Sequence, residues 1–104
     1  MDLRKVDHIK VDKGISANEL VSRMRDSGVF GAGKIGKASE IYSEMINDKD
    51  CKIFLGVAGA LVPGGMREIL IDMIENGKIS VLVCTGATLT HDLVETLGYS
   101  HYQG

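Results

Sequence analysis

Residues 51–98 carry one pattern twice: a short apolar run, a stretch of small residues, an amphipathic segment and a closing glycine. The first copy opens with Cys51-Lys52-Ile53-Phe54-Leu55-Gly56-Val57. Such a run lacks the alternation of a half-solvated strand and suits one covered on both faces, as in a parallel sheet. A small-residue loop follows at 58–65. Ile69, Leu70, Met73 and Ile74 then recur at helical spacing between about residues 66 and 76 and are expected to face inward, with Gly77 placed as the residue past the helix end. The second copy runs from Ile79-Ser80-Val81-Leu82-Val83-Cys84 through the loop Thr85-Gly86-Ala87-Thr88 to a helix over about 89–97, closed by Gly98. Two strand–loop–helix units in succession predict a right-handed parallel crossover and an α/β class. Two parallel strands cannot cover both faces and both edges of a sheet. The pattern therefore predicts completion by a further segment of a longer chain, by a second chain or by a symmetry mate. Residues 99–104 are unpatterned and stop where a third strand is expected.

Upstream, Val6, Ile9 and Val11 alternate loosely among charges and suit a short strand or an extended arm. Ser16-Ala17-Asn18-Glu19 is a capping box, in which the Ser16 hydroxyl accepts from the Glu19 amide while the Glu19 carboxylate reaches back. Leu20, Val21 and Met24 give the helix behind it an apolar face, and Gly28 ends it. Four glycines in residues 28–36 predict a loop. Ala38, Ile41, Tyr42, Met45 and Ile46 then predict a second helix, closed by the polar run at 47–50. The expected organisation is one domain over 1–104, with an arm and two helices in 1–50 and two βα units in 51–104.

Composition sets the outer bounds. At 104 residues and 44% apolar content, one small domain with a core is expected. With no Trp, two Phe and three Tyr, that core is aliphatic and Met-rich, and Met24, Met45, Met66 and Met73 fall at core spacing. The formal net charge of −2 offers neither a basic footprint for nucleic acid nor a polybasic membrane patch. No apolar run approaches the roughly 20 residues needed to span a bilayer. Cys51 and Cys84 show no metal-ligand spacing and read as buried thiols in a reducing compartment. A cytoplasmic location is expected.

Chemistry in an open parallel sheet is expected beyond the carboxyl ends of its strands. Both small-residue loops lie there, and free amides at the helix N-termini that follow favour phosphate. The spacing Gly56, Gly59, Gly64, Gly65 is not the usual dinucleotide fingerprint. It fits a nucleotide site and ordinary tight strand–helix packing alike. Thr85 can serve a ligand or cap the last helix. His91, expected in the first turn of that helix beside Asp92, is either a site residue or a surface histidine. Arg67-Glu68, at the start of a helix, is a weaker candidate or only a solvated face, and His8 and His101 lie in unpatterned segments with no partner pattern.

Four segments together resemble the archaeal branch of the deoxyhypusine synthase family: Cys51-Lys52-Ile53-Phe54-Leu55-Gly56; Ala60-Leu61-Val62-Pro63-Gly64-Gly65-Met66-Arg67-Glu68; Val83-Cys84-Thr85-Gly86-Ala87; and His91-Asp92-Leu93. The closing His101-Tyr102-Gln103-Gly104 fits the same branch. The resemblance implies a partial Rossmann-like, NAD-binding sheet with helices on both faces, working in a homo- or hetero-tetramer with sites between subunits. It implies that NAD oxidises spermidine, that the aminobutyl group passes through an enzyme lysine, and that it ends on a lysine of the hypusine-bearing translation factor precursor. By position, Gly59, Ala60, Leu61, Val62 and Pro63 would contact NAD, as would Thr85, Gly86 and Ala87. Thr90 and His91 fall where eukaryotic members carry an acidic pair that helps to hold the polyamine. Gly59 and Ala60 stand where those members have Ser and Asn, so NAD contacts there would come from the backbone.

The resemblance implies a catalytic lysine beyond residue 104, and no lysine of this sequence sits in a matching motif, so the catalytic residue is unknown from these residues. The chain alone is expected to be inactive without a complementary C-terminal segment or chain. The alternatives are a non-catalytic paralogous subunit that regulates a full-length synthase, or a related enzyme using another amine.

Overall fold

A computed structural model describes residues 3–104, which divide into two compact units, one ending at Asp48 and the other beginning at Lys49. In the first unit, residues 3–12 carry no regular element, and Val6, Ile9 and Val11 lie exposed. Helix α1 (Ala17–Ser27) begins at the expected capping box. The Glu19 amide donates to the Ser16 hydroxyl at 3.1 Å, and the Ser16 amide donates to the Glu19 carboxylate at 3.0 Å. These reciprocal bonds satisfy donors that a helix start otherwise leaves bare. Gly28 closes the helix in the left-handed region.

Helix α2 (Phe30–Asn47) corrects the expected loop at 28–36: three of that segment's four glycines, Gly31, Gly33 and Gly36, sit inside the helix. The reason is steric. A Cβ on Gly33 would lie 2.5 Å from the Gly28 carbonyl carbon, and one on Gly36 would overlap the Arg25 backbone. These residues are small because α1 and α2 touch at them, which glycine content alone does not distinguish from a flexible turn. Across the same hairpin, Glu40 accepts from Lys37 at 2.6 Å and from Arg25 at 3.3 Å.

The second unit contains the two expected βα units. Strands β1 (Phe54–Val57) and β2 (Val81–Cys84) are parallel, with Phe54 opposite Val81 and Val57 opposite Cys84. Each is shorter at its start than its apolar run. Ile53 instead accepts from the Ser80 and Val81 amides at 2.8 and 3.0 Å, ahead of the ladder. Helices α3 (Arg67–Glu75) and α4 (Gly86–Thr96) follow the strands. Gly77 and Gly98 take φ of +62° and +89° just past them, the left-handed turn expected of both.

The core of this unit is small: Ile53, Val57 and Val62 are its buried apolar residues. Side chains alternate across a strand, and parallel partners share a face. Leu55, Val57, Leu82 and Cys84 therefore share one face. On that side, Leu82 and Cys84 join α3 and α4 around a cleft of about 150 Å³. Phe54, Val81 and Val83 share the other face and are 68%, 39% and 57% exposed. The expectation of strands covered on both faces, with helices on both, is thus corrected for this unit. Cys51 and Cys84 are half-buried rather than buried, and both are free. On α3, Leu70 and Met73 turn inward, whereas Ile69 and Ile74 are about half exposed. Met66 is exposed as well; Met24 and Met45 are half-buried in the first unit.

Candidate functional site: two strand–helix junctions

Both junctions differ from the loops expected of them. After β1 the chain makes a 3-10 turn, Gly59–Leu61, and a wider turn, Val62–Met66, before α3. After β2 only Thr85 intervenes, because α4 starts three residues earlier than the apolar spacing suggests. Small polar residues hide that first turn from a reading based on periodicity.

The junctions lie side by side. A Cβ on Gly59 would stand 2.8 Å from the Ala87 Cβ and 3.2 Å from the Thr85 hydroxyl oxygen. Gly59 therefore lets the first junction seat on the start of α4. Thr85 caps that helix: its hydroxyl accepts from the Thr88 amide at 3.4 Å. Val62, 3% exposed, faces the core, while Ala60 and Leu61 are exposed and Pro63 is half-buried. Around Gly86 the space is open, since a Cβ there would meet nothing within 4 Å. No acidic side chain occupies the first turn of α4. That turn thus offers accessible amides at the positive end of a helix, suited to an anionic group.

The helix shift moves His91 into the second turn of α4, four residues after Ala87 and on the same side of the helix. Its partner is not Asp92. Nδ1 of His91 lies 3.0 Å from Nε2 of His101, and Nδ1 of His101 lies 2.8 Å from Oε1 of Glu95. The two rings meet edge to face, with centroids 5.0 Å apart. His101, for which the sequence shows no partner pattern, is thus held twice. Asp92 instead accepts from Arg67 Nε at 2.8 Å. Arg67 also reaches Glu95 at 3.7 Å and the Thr96 hydroxyl at 3.3 Å. Its side chain is 26% exposed and joins α3 to α4, so Arg67 departs from the solvated-face alternative, whereas Glu68, 82% exposed, fits it. The bond to Asp92 holds its proton more firmly than usual. Thr90, exposed, donates its hydroxyl to the Gly86 carbonyl at 3.0 Å. Sequence reasoning missed Glu95, His101 and the reach of Arg67. The helical offset of four between His91 and Glu95 was visible, but nothing in the spacing returned residue 101 to that face.

Comparison with known proteins decides the family, because the deoxyhypusine synthase family model matches residues 19–104. The chain belongs to the deoxyhypusine synthase family. A probable deoxyhypusine synthase of Methanothermobacter thermautotrophicus is 46% identical over 103 residues, covering 99% of this chain and 34% of that protein. Probable deoxyhypusine synthase 1 of Archaeoglobus fulgidus is 42% identical over 100 residues, covering 96% of this chain and 33% of that protein. A deoxyhypusine synthase-like protein of Elusimicrobium minutum is 35% identical over 103 residues, covering 98% and 26%. The chain thus spans about a third or less of the length of these relatives, and in the archaeal synthases it corresponds to the N-terminal third. The junctions and the His91 cluster all lie inside the stretch matched to deoxyhypusine synthase. No helix of the described residues is long and apolar enough to cross a membrane.

Proposed function

We propose that this chain supplies the NAD-facing junctions of a cytoplasmic deoxyhypusine synthase, which transfers the aminobutyl group of spermidine to a lysine of the hypusine-bearing translation factor precursor. The observation that carries the reading is the seating of Gly59 on Ala87, which joins two family-matched junctions into one rim. On that rim the amides of Gly86 and Ala87 bind phosphate, and Thr85 holds the turn in place as its cap. Gly59, Ala60, Leu61, Val62 and Pro63 contribute backbone, since Val62 turns its side chain away. NAD, when bound, accepts and returns a hydride. Thr90 and His91 lie on the next turn, where the amine is held.

In this reading the open sheet face and edges receive a complementary C-terminal segment or chain that brings the catalytic lysine, within a tetramer. The chain by itself is inactive. Mixing it with the matching C-terminal segment and assaying NAD-dependent spermidine cleavage tests this. Activity in the mixture, absent from each part, is expected. A tight, inactive complex would instead indicate a regulatory, non-catalytic subunit. A second reading, a related enzyme for another amine, is favoured by Thr90 and His91 standing where an acidic pair would hold a polyamine. A panel of diamines and triamines in the same assay separates it.

A further inference from the structure

We infer that Glu95 and His101 are positioning residues that fix the tautomer of His91 and present its Nε2 as an acceptor for an ammonium group. The inference deepens the proposed function and rests on it for the identity of the amine, but the hydrogen-bond geometry stands apart from that identity. Glu95 Oε1 lies 2.8 Å from His101 Nδ1, so this nitrogen carries the proton, since two lone pairs facing at that distance would repel. With both rings neutral, His101 Nε2 is then bare and can only accept. It lies 3.0 Å from His91 Nδ1, which must therefore carry the proton of His91. His91 Nε2 is left with a free lone pair. The outer partner sets which nitrogen of an imidazole is available, as it does for metal-bound and catalytic histidines.

The surroundings suit a cation at that nitrogen. Glu68 and Arg67 on α3, and Asp92 and Glu95 on α4, are the charged groups linked to the relay. Three carboxylates against one guanidinium leave this linked network with two net negative charges, and one of its carboxylates, Glu95, touches His101 directly. A proton moving from the ammonium to Nε2 leaves a neutral amine and an imidazolium, whose charge His101 and Glu95 stabilise through the same two bonds. A histidine backed by a carboxylate two bonds away thus restores, in this chain, an acceptor where no carboxylate stands at 90 or 91.

Long-range proton–nitrogen correlation of the imidazole rings tests the relay in the protein without substrate. At a pH where both rings are neutral, His91 and His101 should each carry the proton on Nδ1. In Glu95→Leu, which leaves His101 Nδ1–H without its acceptor, His91 should lose its fixed Nδ1–H form and move toward Nε2–H, with helix content unchanged by circular dichroism. His91 found as Nε2–H in the unaltered protein, or unmoved in Glu95→Leu, overturns the inference. In the assembled enzyme, Glu95→Gln should raise the KM for spermidine roughly tenfold, the scale of one weakened charged hydrogen bond, and alter the pH profile. NAD affinity should stay unchanged. An unaltered KM and pH profile would overturn the amine-facing role. Failure of the unaltered assembly to cleave spermidine, with the tautomers as stated, would count against the proposed function instead.

Discussion

Gly59 and Gly86 belong to neighbouring junctions, yet they face opposite constraints. A methyl group on Gly59 meets the Ala87 Cβ at 2.8 Å, and that Cβ is fixed to a helix backbone that cannot swing away. Gly59→Ala should therefore cost about 1–3 kcal/mol, the usual penalty for overpacking, read as a lower urea midpoint at unchanged m-value. Around Gly86 an added Cβ meets nothing within 4 Å. Gly86→Val should leave the urea midpoint nearly unaltered while weakening NAD binding to the assembled enzyme by obstructing the first-turn amides. Titration calorimetry measures this, and unchanged affinity would remove the second junction from the cofactor site. The paired variants separate packing from binding, which a glycine pattern alone leaves mixed.

At the scale of elements, the α1–α2 hairpin shows two effects opposed. Alanine in place of a mid-helix glycine normally favours the helix by up to about 1 kcal/mol. At Gly36 the added methyl would overlap the Arg25 backbone, and overpacking costs about 1–3 kcal/mol. Overlap should win, so Gly36→Ala is expected to lower stability by about 1–2 kcal/mol in urea denaturation. A rise in stability would show that the two helices do not approach so closely.

The hairpin is also acid-sensitive. The Ser16 amide and hydroxyl hold Glu19 below the usual carboxylate range, and Lys37, then Arg25, does so for Glu40. A lowered native pKa adds stability that is present above the ordinary carboxylate range and lost as pH falls through the lowered value. Stability of α1 and α2 should therefore decline on acidification below that range, and Glu40→Gln should flatten the decline. Urea midpoints measured against pH check both. Solvent screens these exposed pairs, so high salt should shrink the effect at Glu40 more than the local capping bonds at Glu19.

For the whole molecule, the second unit presents Phe54, Val81 and Val83 on one sheet face and leaves two strand edges unpaired. An apolar face beside open edges favours association. Phe54→Ser removes the largest exposed side chain of that face, and little burial is lost because Phe54 is 68% exposed. The variant should keep its helix content and sediment as a smaller species at high concentration. Self-association equal to that of the unaltered chain would show that the face is not what drives it.

Local bonds make much of this protein legible from its sequence. The capping box and the glycines at 28, 77 and 98 depend on residues a few positions apart and take the expected form, and the order strand–helix–strand–helix does too, although its junctions and strand starts do not. The family resemblance rests on the same 51–98 stretch. Contacts across longer separations are decided by the tertiary structure. Gly33 and Gly36 carry the pattern of a loop, and it is the approach of α1 that explains them inside a helix. The first turn of α4 comes from a threonine cap without apolar periodicity. Arg67 finds Asp92 twenty-five residues on, and His101 folds back onto Glu95 and His91. Spacing along a chain encodes which face of its own element a residue occupies. Which other element meets that face is set by packing, and here packing turns Glu95, which the spacing did not single out, and His101, which showed no partner pattern, into the partners of a third residue.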